Sequence, residues 1–177
     1  MQDKSLQPTA GAALLFLRED ELRAAQDILF FAYRDLTASA DELLAELGFG
    51  RAHHRTLHFI GRNAGLPVGE LLFILGITKQ SLARVLGPLI RQGYVSQTQG
   101  RTDRRQRLLT LTAQGAALER KLFERQRDRL IPAFREAGGP AVEGFRKVLR
   151  LMMKDEARVY MDRAEMTRNA KPVRAPG

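Results

Sequence analysis

The chain has 177 residues, a size that fits one domain, or one domain with a dimerisation extension, and argues against a two-domain enzyme. Its formal net charge of +9 favours a polyanionic partner, either nucleic acid or an anionic membrane surface. It contains no cysteine, which excludes disulfides, thiolate metal sites and thiol redox sensing.

Residues 1–17 are predicted to form a flexible arm, because residues 1–10 lack apolar periodicity. The longest apolar run in this arm, Ala12–Leu17, is far shorter than the ~20 residues that a membrane-spanning helix needs. No small-residue cleavage site follows it. We therefore expect a cytoplasmic protein that makes no membrane contact.

Three helices are predicted before the middle of the chain. Apolar residues recur at spacings of three and four over residues 19–36, which indicates an amphipathic helix. Ser39 and Glu42 have the spacing of a capping box, so a second helix is expected to start there and end at Gly48. A third helix is predicted over Arg51–Arg62 and is followed by an Asn-Ala-Gly turn.

Two shorter helices joined by a tight turn come next. Val68–Leu75 is predicted to be helical, and Gly76 and Ile77 separate it from Thr78, a good N-cap for a helix that runs to Arg91. Two helices joined by a short turn that contains glycine form a helix-turn-helix, whose second helix enters the major groove of DNA.

A charged hairpin follows this helix pair. Residues 94–97 and 106–111 are predicted to be strands, and residues 100–103 form the loop between them. Residues 79–107 contain seven basic side chains and one acid, an excess of six positive charges (7 − 1 = 6) in a chain whose net charge is +9. The charge is therefore concentrated at the second helix and the hairpin, which favours DNA over a membrane as the partner.

The remaining chain is predicted to be helical. Thr112 caps a helix that Pro132 ends or kinks, and a last helix covers residues 141–166 with apolar residues on one face. Residues 167–177 are predicted to be a disordered basic tail.

The expected fold is therefore mainly α with a small two-stranded β-wing. Residues 49–111 form a winged helix-turn-helix DNA-binding domain, and residues 18–48 and 112–166 form a helical dimerisation region. The flanking helices need a partner, because each carries an apolar stripe that the small winged core cannot cover.

The predicted contacts to DNA lie on the polar face of the second helix and in the loop of the hairpin. Glutamine pairs with adenine, arginine pairs with guanine, and basic side chains near a helix start meet phosphates. An arginine of the loop enters a narrow minor groove. The candidate residues are Lys79, Gln80, Ser81, Arg84, Arg91, Arg101, Asp103, Arg104 and Arg105. A solvated helix face and a solvated arginine loop remain the alternatives.

Two stretches of this region resemble the MarR family of bacterial regulators. Residues 71–86 resemble its helix-turn-helix, and Asp103-Arg104-Arg105 with the later Leu-Thr-x-x-Gly resembles its wing signature. The resemblance covers residues 20–155 and implies a homodimer with interleaved terminal helices that binds a pseudo-palindrome. It also implies that Ser81 and Arg84 reach bases, that Asp103 orients a neighbouring arginine, and that Arg105 enters the minor groove.

The sequence departs from the family pattern at two prolines. Gly87-Pro88 interrupts the second helix, where the missing N–H is expected to bend its C-terminal half. Pro67 stands where a capping serine or threonine is common, which predicts a weakly capped but conformationally preset helix start.

The resemblance also implies a cleft for small anionic aromatic molecules between the dimerisation and winged parts. Aromatic, arginine and histidine side chains occur at the expected place, although each also has an ordinary packing or surface role: Tyr33, Phe49, Arg51, His53, His54, His58 and Arg62. The i, i+4 spacing of His54 and His58 suits a transition metal, but no third ligand can be placed, so no metal or cofactor is predicted.

These observations predict a sequence-specific, double-stranded DNA-binding transcription regulator, a homodimer that a small effector releases. The sign of regulation is left open. The chain offers no nucleophile–base pair and no glycine-rich phosphate motif, so no enzyme activity is expected. The alternative is an architectural or adaptor module that binds DNA without sequence choice, which the ratio of specific to competitor binding would reveal.

Overall fold

The computed structural model describes residues 12–170. Residues 1–11 of the predicted arm and residues 171–177 of the predicted tail lie outside the described residues. The part of the arm that is described, Ala12–Leu17, forms a 3-10 helix. The start of the predicted tail is also helical, because the last helix continues to Ala170.

Helices dominate the described chain, as the sequence predicts. The elements are α1 (Glu19–Ala38), α2 (Asp41–Glu46), α3 (Arg51–Arg62), β1 (Leu66–Pro67), α4 (Val68–Leu75), α5 (Lys79–Arg91), β2 (Val95–Gln99), β3 (Arg107–Leu111), α6 (Ala113–Met152) and α7 (Asp155–Ala170). The predicted bounds of α3, α4 and α5 are confirmed to within a residue.

The sheet has one strand more than the sequence indicates. β2 and β3 form the predicted antiparallel hairpin, in which Val95 pairs with Leu111 and Gln99 with Arg107. The two-residue strand β1 pairs with the other edge of β3, giving the order β1-β3-β2. β1 was missed because two residues are too short to show an alternating pattern. The mainly helical winged fold is confirmed, with this small addition.

The hydrophobic core lies where α3 meets α4, α5, α6 and the sheet. Each of these elements contributes a fully buried apolar side chain, and the largest of them are Leu57, Ile60, Leu71, Leu82, Leu89, Leu109 and Leu122. Burying a side chain of this size contributes about 1.5–3 kcal/mol. This core is shared with the start of α6, and it holds α5 and the hairpin in a fixed relation.

One tight contact joins this core to α6. Thr112 caps α6 by accepting the N–H of Gly115 at 3.0 Å, and its hydroxyl donates to the carbonyl of Gly93 at 2.6 Å. A Cβ added at Gly115 would lie 1.9 Å from the carbonyl oxygen of Tyr94, so only glycine fits. The backbone that leads into the hairpin is therefore packed directly against the first turn of α6.

One prediction about a helix start is wrong, and one of the two outcomes expected at Pro132 is not found. The hydroxyl of Ser39 donates to the carbonyl of Leu36 at 2.6 Å and so closes α1, while the N-cap of α2 is Ala40, without a side-chain bond. Pro132 does not end the helix it lies in. α6 continues through it and breaks at Gly138, whose φ of 77° suits glycine.

The predicted last helix is also divided differently. Its first part belongs to α6, which ends at Met152, and α7 begins at Asp155. Arg150 then bonds back to two carboxylates of α7, Glu165 at 2.6 Å and Asp162. Among residues 12–170 no single helix is long and apolar enough to cross a membrane, whereas α4 and α5 together meet that criterion only as a pair bent by 113°.

Candidate nucleic-acid interface

The turn between α4 and α5 is built by glycine and threonine. Gly76 ends α4 in the left-handed conformation, with a φ of 62°, where a side chain would be strained. Thr78 starts α5: its Oγ1 accepts the backbone N–H of Ser81 at 3.2 Å. The Thr78 hydroxyl also donates to Oγ of Ser81 at 3.1 Å. This local chemistry sets the direction in which α5 leaves the turn.

One face of α5 is buried and the opposite face is open to solvent. Leu82, Leu86 and Leu89 pack into the core. The predicted DNA contacts of this helix are all exposed: Lys79, Gln80, Ser81, Arg84 and Arg91. α5 runs as one helix through Pro88, and the bend expected in its C-terminal half stays a prediction. The weak cap expected for α4 is also found, because Pro67 is its N-cap and makes no side-chain bond.

The loop of the hairpin is longer than predicted and is internally bonded. It covers residues 100–106, where Gly100 donates its N–H to the carbonyl of Gln106 at 3.0 Å, and Gln106 donates to the carbonyl of Asp103 at 3.1 Å. Oδ1 of Asp103 accepts the backbone N–H of Arg105 at 2.9 Å. The carboxylate thus holds the backbone of Arg105, rather than its guanidinium.

The side chains of this loop point to solvent. Arg101, Asp103, Arg104 and Arg105 are all exposed, while Gly100 is buried. A Cβ at Gly100 would lie 2.6 Å from the carbonyl oxygen of Asp103, so the tight loop requires glycine there. The loop is therefore a structured support that presents three guanidinium groups.

The cations of α5 and the loop have no acidic partners within residues 12–170. The ion pairs of this part of the chain involve other basic residues, such as Arg51 with Asp41 and Arg150 with Glu165. Without neutralising carboxylates, these cations and the neighbouring Arg107 of β3 are available to an external anion: Lys79, Arg84, Arg91, Arg101, Arg104, Arg105 and Arg107. Phosphates of a nucleic-acid backbone are such anions.

A depression of about 480 Å³ joins the starts of α4 and α5 to the hairpin. Lys79, Arg105 and Arg107 all line it, together with Gly69 and the acid Glu70. Arg107, an exposed residue on β3, was not among the predicted contacts. Its place among the basic residues of 79–107 could have indicated this contact. Because Arg107 was assigned to a strand, however, it was not expected beside Lys79.

Comparisons with known proteins agree with this geometry. The sequence model of the MarR family matches residues 47–106, from the end of α2 to the loop of the hairpin. The HTH-type transcriptional regulator PetP of Rhodobacter capsulatus is 52% identical over 143 residues, which are 81% of this chain and 86% of that protein. The chain belongs to the MarR family.

Solved structures show the same fold. A MarR-family regulator from Silicibacter pomeroyi is 23% identical, with a TM-score of 0.62, over 72% of this chain and 86% of that one. A MarR variant from E. coli complexed with operator DNA is 21% identical, with a TM-score of 0.59, over 79% of this chain and 99% of that one. This MarR-family protein is therefore a helix-turn-helix transcription regulator and not an enzyme.

The predicted effector residues of this MarR-family protein are placed at the junction of α1, α2 and α3. Arg51 forms an ion pair with Asp41, with Nη2 to Oδ2 at 2.7 Å, and this hydrogen bond lowers the pKa of the Asp41 carboxyl. The ring of His53 stacks on Phe49 at 4.8 Å, and its Nδ1 accepts the N–H of Gly50 at 3.1 Å. Tyr33 is 54% exposed.

The other two histidines lie on the side of α3 that faces α6. His54 is buried, and burial, with nearby His58 as a further cause, lowers the pKa of its imidazole below 6.5. Nδ1 of His58 lies 3.6 Å from Oε1 of Glu119 on α6. No group of three or more potential metal ligands occurs in the described part of the chain.

Proposed function

We propose that this MarR-family protein is a cytoplasmic homodimer that binds a pseudo-palindromic operator, each copy reading one half-site, and that a small effector releases it. The observation that carries the proposal is the exposed cationic surface of α5 and loop 100–106, whose charges have no acidic partners within residues 12–170. A helix-turn-helix places its second helix in the major groove, and the cations of the adjacent loop can then contact phosphates of the same duplex.

Each side chain has a role that its position supports. Gln80, Ser81 and Arg84 project from the first half of α5 and contact bases, while Lys79 at the helix start binds a phosphate. Arg91 at the other end of α5 also binds the backbone. In the loop, Arg105 enters the minor groove and Arg101 and Arg104 bind phosphates, with Asp103 holding the loop in shape.

The terminal helices support the dimer. Large apolar side chains on α1 and α6 are exposed by about half or more, which is unusual for a protein that works as a monomer. Those on α1 include Leu22, Ile28, Phe30 and Phe31, and those on α6 include Phe145, Val148, Leu151 and Met152. A second copy that covers these faces would place two cationic surfaces side by side.

A selection experiment followed by titration tests the proposal. Duplexes selected from a random pool by the full chain should share an inverted repeat, and their affinity should exceed that of scrambled duplexes by about 10³-fold or more. The logarithm of the affinity should fall linearly with the logarithm of salt concentration, with a slope that reflects several phosphates. Equal affinity for selected and scrambled duplexes would instead indicate an architectural module.

Two single substitutions separate base reading from backbone binding. Arg84→Ala should lower discrimination between selected and scrambled duplexes by ~1–3 kcal/mol. Arg105→Ala should weaken binding to both duplexes more evenly, because a guanidinium in the minor groove is attracted by the negative electrostatic potential there more than by particular bases. Arg129→Ala, which removes an exposed cation on α6, is the matched control and should change neither value. Identical profiles for Arg84→Ala and Arg105→Ala would contradict the assigned roles.

The effector part of the proposal has its own test. Tyr33, Arg51, His53, His54 and His58 would hold a carboxylate or phenolate, for which Arg51 would have to leave Asp41. In a thermal-shift screen of phenolic acids and divalent metals, a compound that binds the folded protein should raise its melting temperature. Arg51→Ala should abolish that shift if the predicted cleft is the site.

A further inference from the structure

The depression between the helix-turn-helix and the hairpin contains an acid among its cations. Its charged lining residues are Lys79 on α5, Arg105 in the loop, Arg107 on β3 and Glu70 on α4. The cube root of its 480 Å³ is about 8 Å, so a phosphate bound inside it lies within about one Debye length of Glu70, ~10 Å at 0.1 M salt. An anion that the three cations attract is therefore also exposed to the charge of this acid.

The carboxylate of Glu70 does not cap its own helix. Pro67 is the N-cap of α4, and Glu70 is the third residue of that helix, the position from which an acid normally accepts the N–H of the N-cap residue. Proline has no backbone N–H, so this bond cannot form at the start of α4. Glu70 therefore offers α4 only the weaker attraction between an acid and a helix N-terminus.

Glu70 is not neutralised by a neighbouring cation either. It is exposed, and it forms no ion pair within the described part of the chain. Arg163 and Glu156 of α7 line a neighbouring space with it, together with Asp155, which is already paired with Arg158 at 2.5 Å. α7 therefore adds no excess of positive charge beside Glu70.

Glu70 also does not hold the cations of the depression in place. If its carboxylate oriented Lys79 or Arg107 for DNA, a salt bridge to one of them would be expected, because such a bond fixes a long side chain. Between these described residues no such pair forms, and Lys79 and Arg107 are both exposed. The effect of Glu70 on a bound phosphate is therefore the direct repulsion between two negative charges.

We propose that Glu70 lowers the affinity of this surface for DNA, because its carboxylate repels a backbone phosphate that Lys79 and Arg107 bind in the depression. The inference rests on the proposed function, since it concerns the same DNA-binding surface, and it adds Arg107 to the residues that bind phosphates. The repulsion acts on the backbone, so it lowers the affinity for every duplex and leaves the discrimination between sequences unchanged. A regulator whose affinity is held down in this way needs a smaller difference in effector affinity to leave its operator.

Fluorescence anisotropy of a labelled duplex, titrated with the full chain, measures the effect. At low salt concentration, Glu70→Gln should raise the affinity for a selected duplex and for its scrambled version by the same factor, roughly three- to tenfold. The gain should shrink as the salt concentration rises, because salt screens exposed charges. Glu136→Gln, at an exposed position on α6, makes the same change in net charge and should leave the affinity unchanged. Unchanged or weaker binding by Glu70→Gln would overturn the inference.

Removing the cation beside Glu70 tests where the phosphate binds. Arg107→Ala should weaken binding to both duplexes and reduce the slope of log affinity against log salt by about one, whereas Arg129→Ala should change neither. In the Arg107→Ala background, Glu70→Gln should still raise the affinity, because the repulsion acts on the phosphate itself. If the gain disappeared there, Glu70 would act by competing for Arg107, and direct repulsion would be refuted.

The outcomes separate this inference from the proposed function. If neither the wild-type chain nor Glu70→Gln bound any duplex, the proposed function would fail and this inference would fail with it. If the wild-type chain bound the selected duplex and Glu70→Gln bound it no more tightly, only the role of Glu70 would be lost. A lower melting temperature of Glu70→Gln with unchanged DNA affinity would show that the acid serves only the start of α4.

Discussion

Gly115→Ala is expected to destabilise the protein strongly, because the new methyl group has no space. Its Cβ would lie 1.9 Å from the carbonyl oxygen of Tyr94, and ordinary van der Waals contact begins at 3.4 Å. The backbone would therefore have to move by roughly 1.5 Å (3.4 − 1.9 = 1.5). That same carbonyl accepts the N–H of Thr112 at 3.1 Å, so the movement also strains the start of α6.

The cost follows from these contacts. Overpacking costs typically ~1–3 kcal/mol, and a weakened hydrogen bond adds about 0.5–1.5 kcal/mol. A total of about 3 kcal/mol lowers the melting temperature of a protein of this size by roughly 6–12 °C. Thermal unfolding followed by circular dichroism, at one protein concentration for all variants, measures this change.

Gly144→Ala is the matched control. Gly144 lies in the part of α6 that follows the break at Gly138, and nothing lies within 4 Å of its added Cβ. Alanine should therefore stabilise α6 by about 1 kcal/mol through helix propensity alone. If Gly115→Ala melted at the wild-type temperature, the close packing of α6 against the root of the hairpin would be refuted.

Two further predictions concern pH and the loop. Because burial lowers the pKa of His54 below 6.5, the folded state disfavours its charged form. The stability that this contributes should be complete above about pH 6.5 and decline as the pH falls through the lower folded-state pKa. His54→Gln should flatten that decline in urea unfolding between pH 7.5 and 5, and an unchanged slope would show that other groups cause it. Asp103→Ala should weaken DNA binding although it removes a negative charge, because Arg105 loses the acceptor of its backbone N–H. Asp103→Asn keeps an acceptor and should bind at least as well as wild type in the same anisotropy titration; a gain for Asp103→Ala would mean that Asp103 acts by charge alone.

The helix-turn-helix could be predicted from the sequence because its signals are local. The Thr78 cap, the glycine at position 76 and the buried leucine face of α5 each depend on residues a few positions apart. The same holds for Thr112. It directly precedes a predicted helix with apolar periodicity, and its hydroxyl caps that helix, α6.

The errors come from contacts that no local pattern encodes. Ser39 and Glu42 have the spacing of a capping box, but the hydroxyl of Ser39 donates back to the carbonyl of Leu36. The N-cap position of α2 is taken by Ala40, which is buried in the core. Arg107 belongs to the cationic surface because β3 brings it beside Lys79, 28 positions earlier in the chain (107 − 79 = 28). The packing of α7 against α3, through Asn63 and Tyr160, is equally invisible to periodicity.

Sedimentation equilibrium of the chain with a selected duplex tests the central claim most directly, namely that two copies present their cationic helices and loops to one DNA molecule. We expect a dimer in the absence of DNA and two chains per full palindromic duplex, with much weaker binding to a duplex that carries one half-site. A stable monomer that binds the half-site and the full site with equal affinity, one chain per site, would contradict the account.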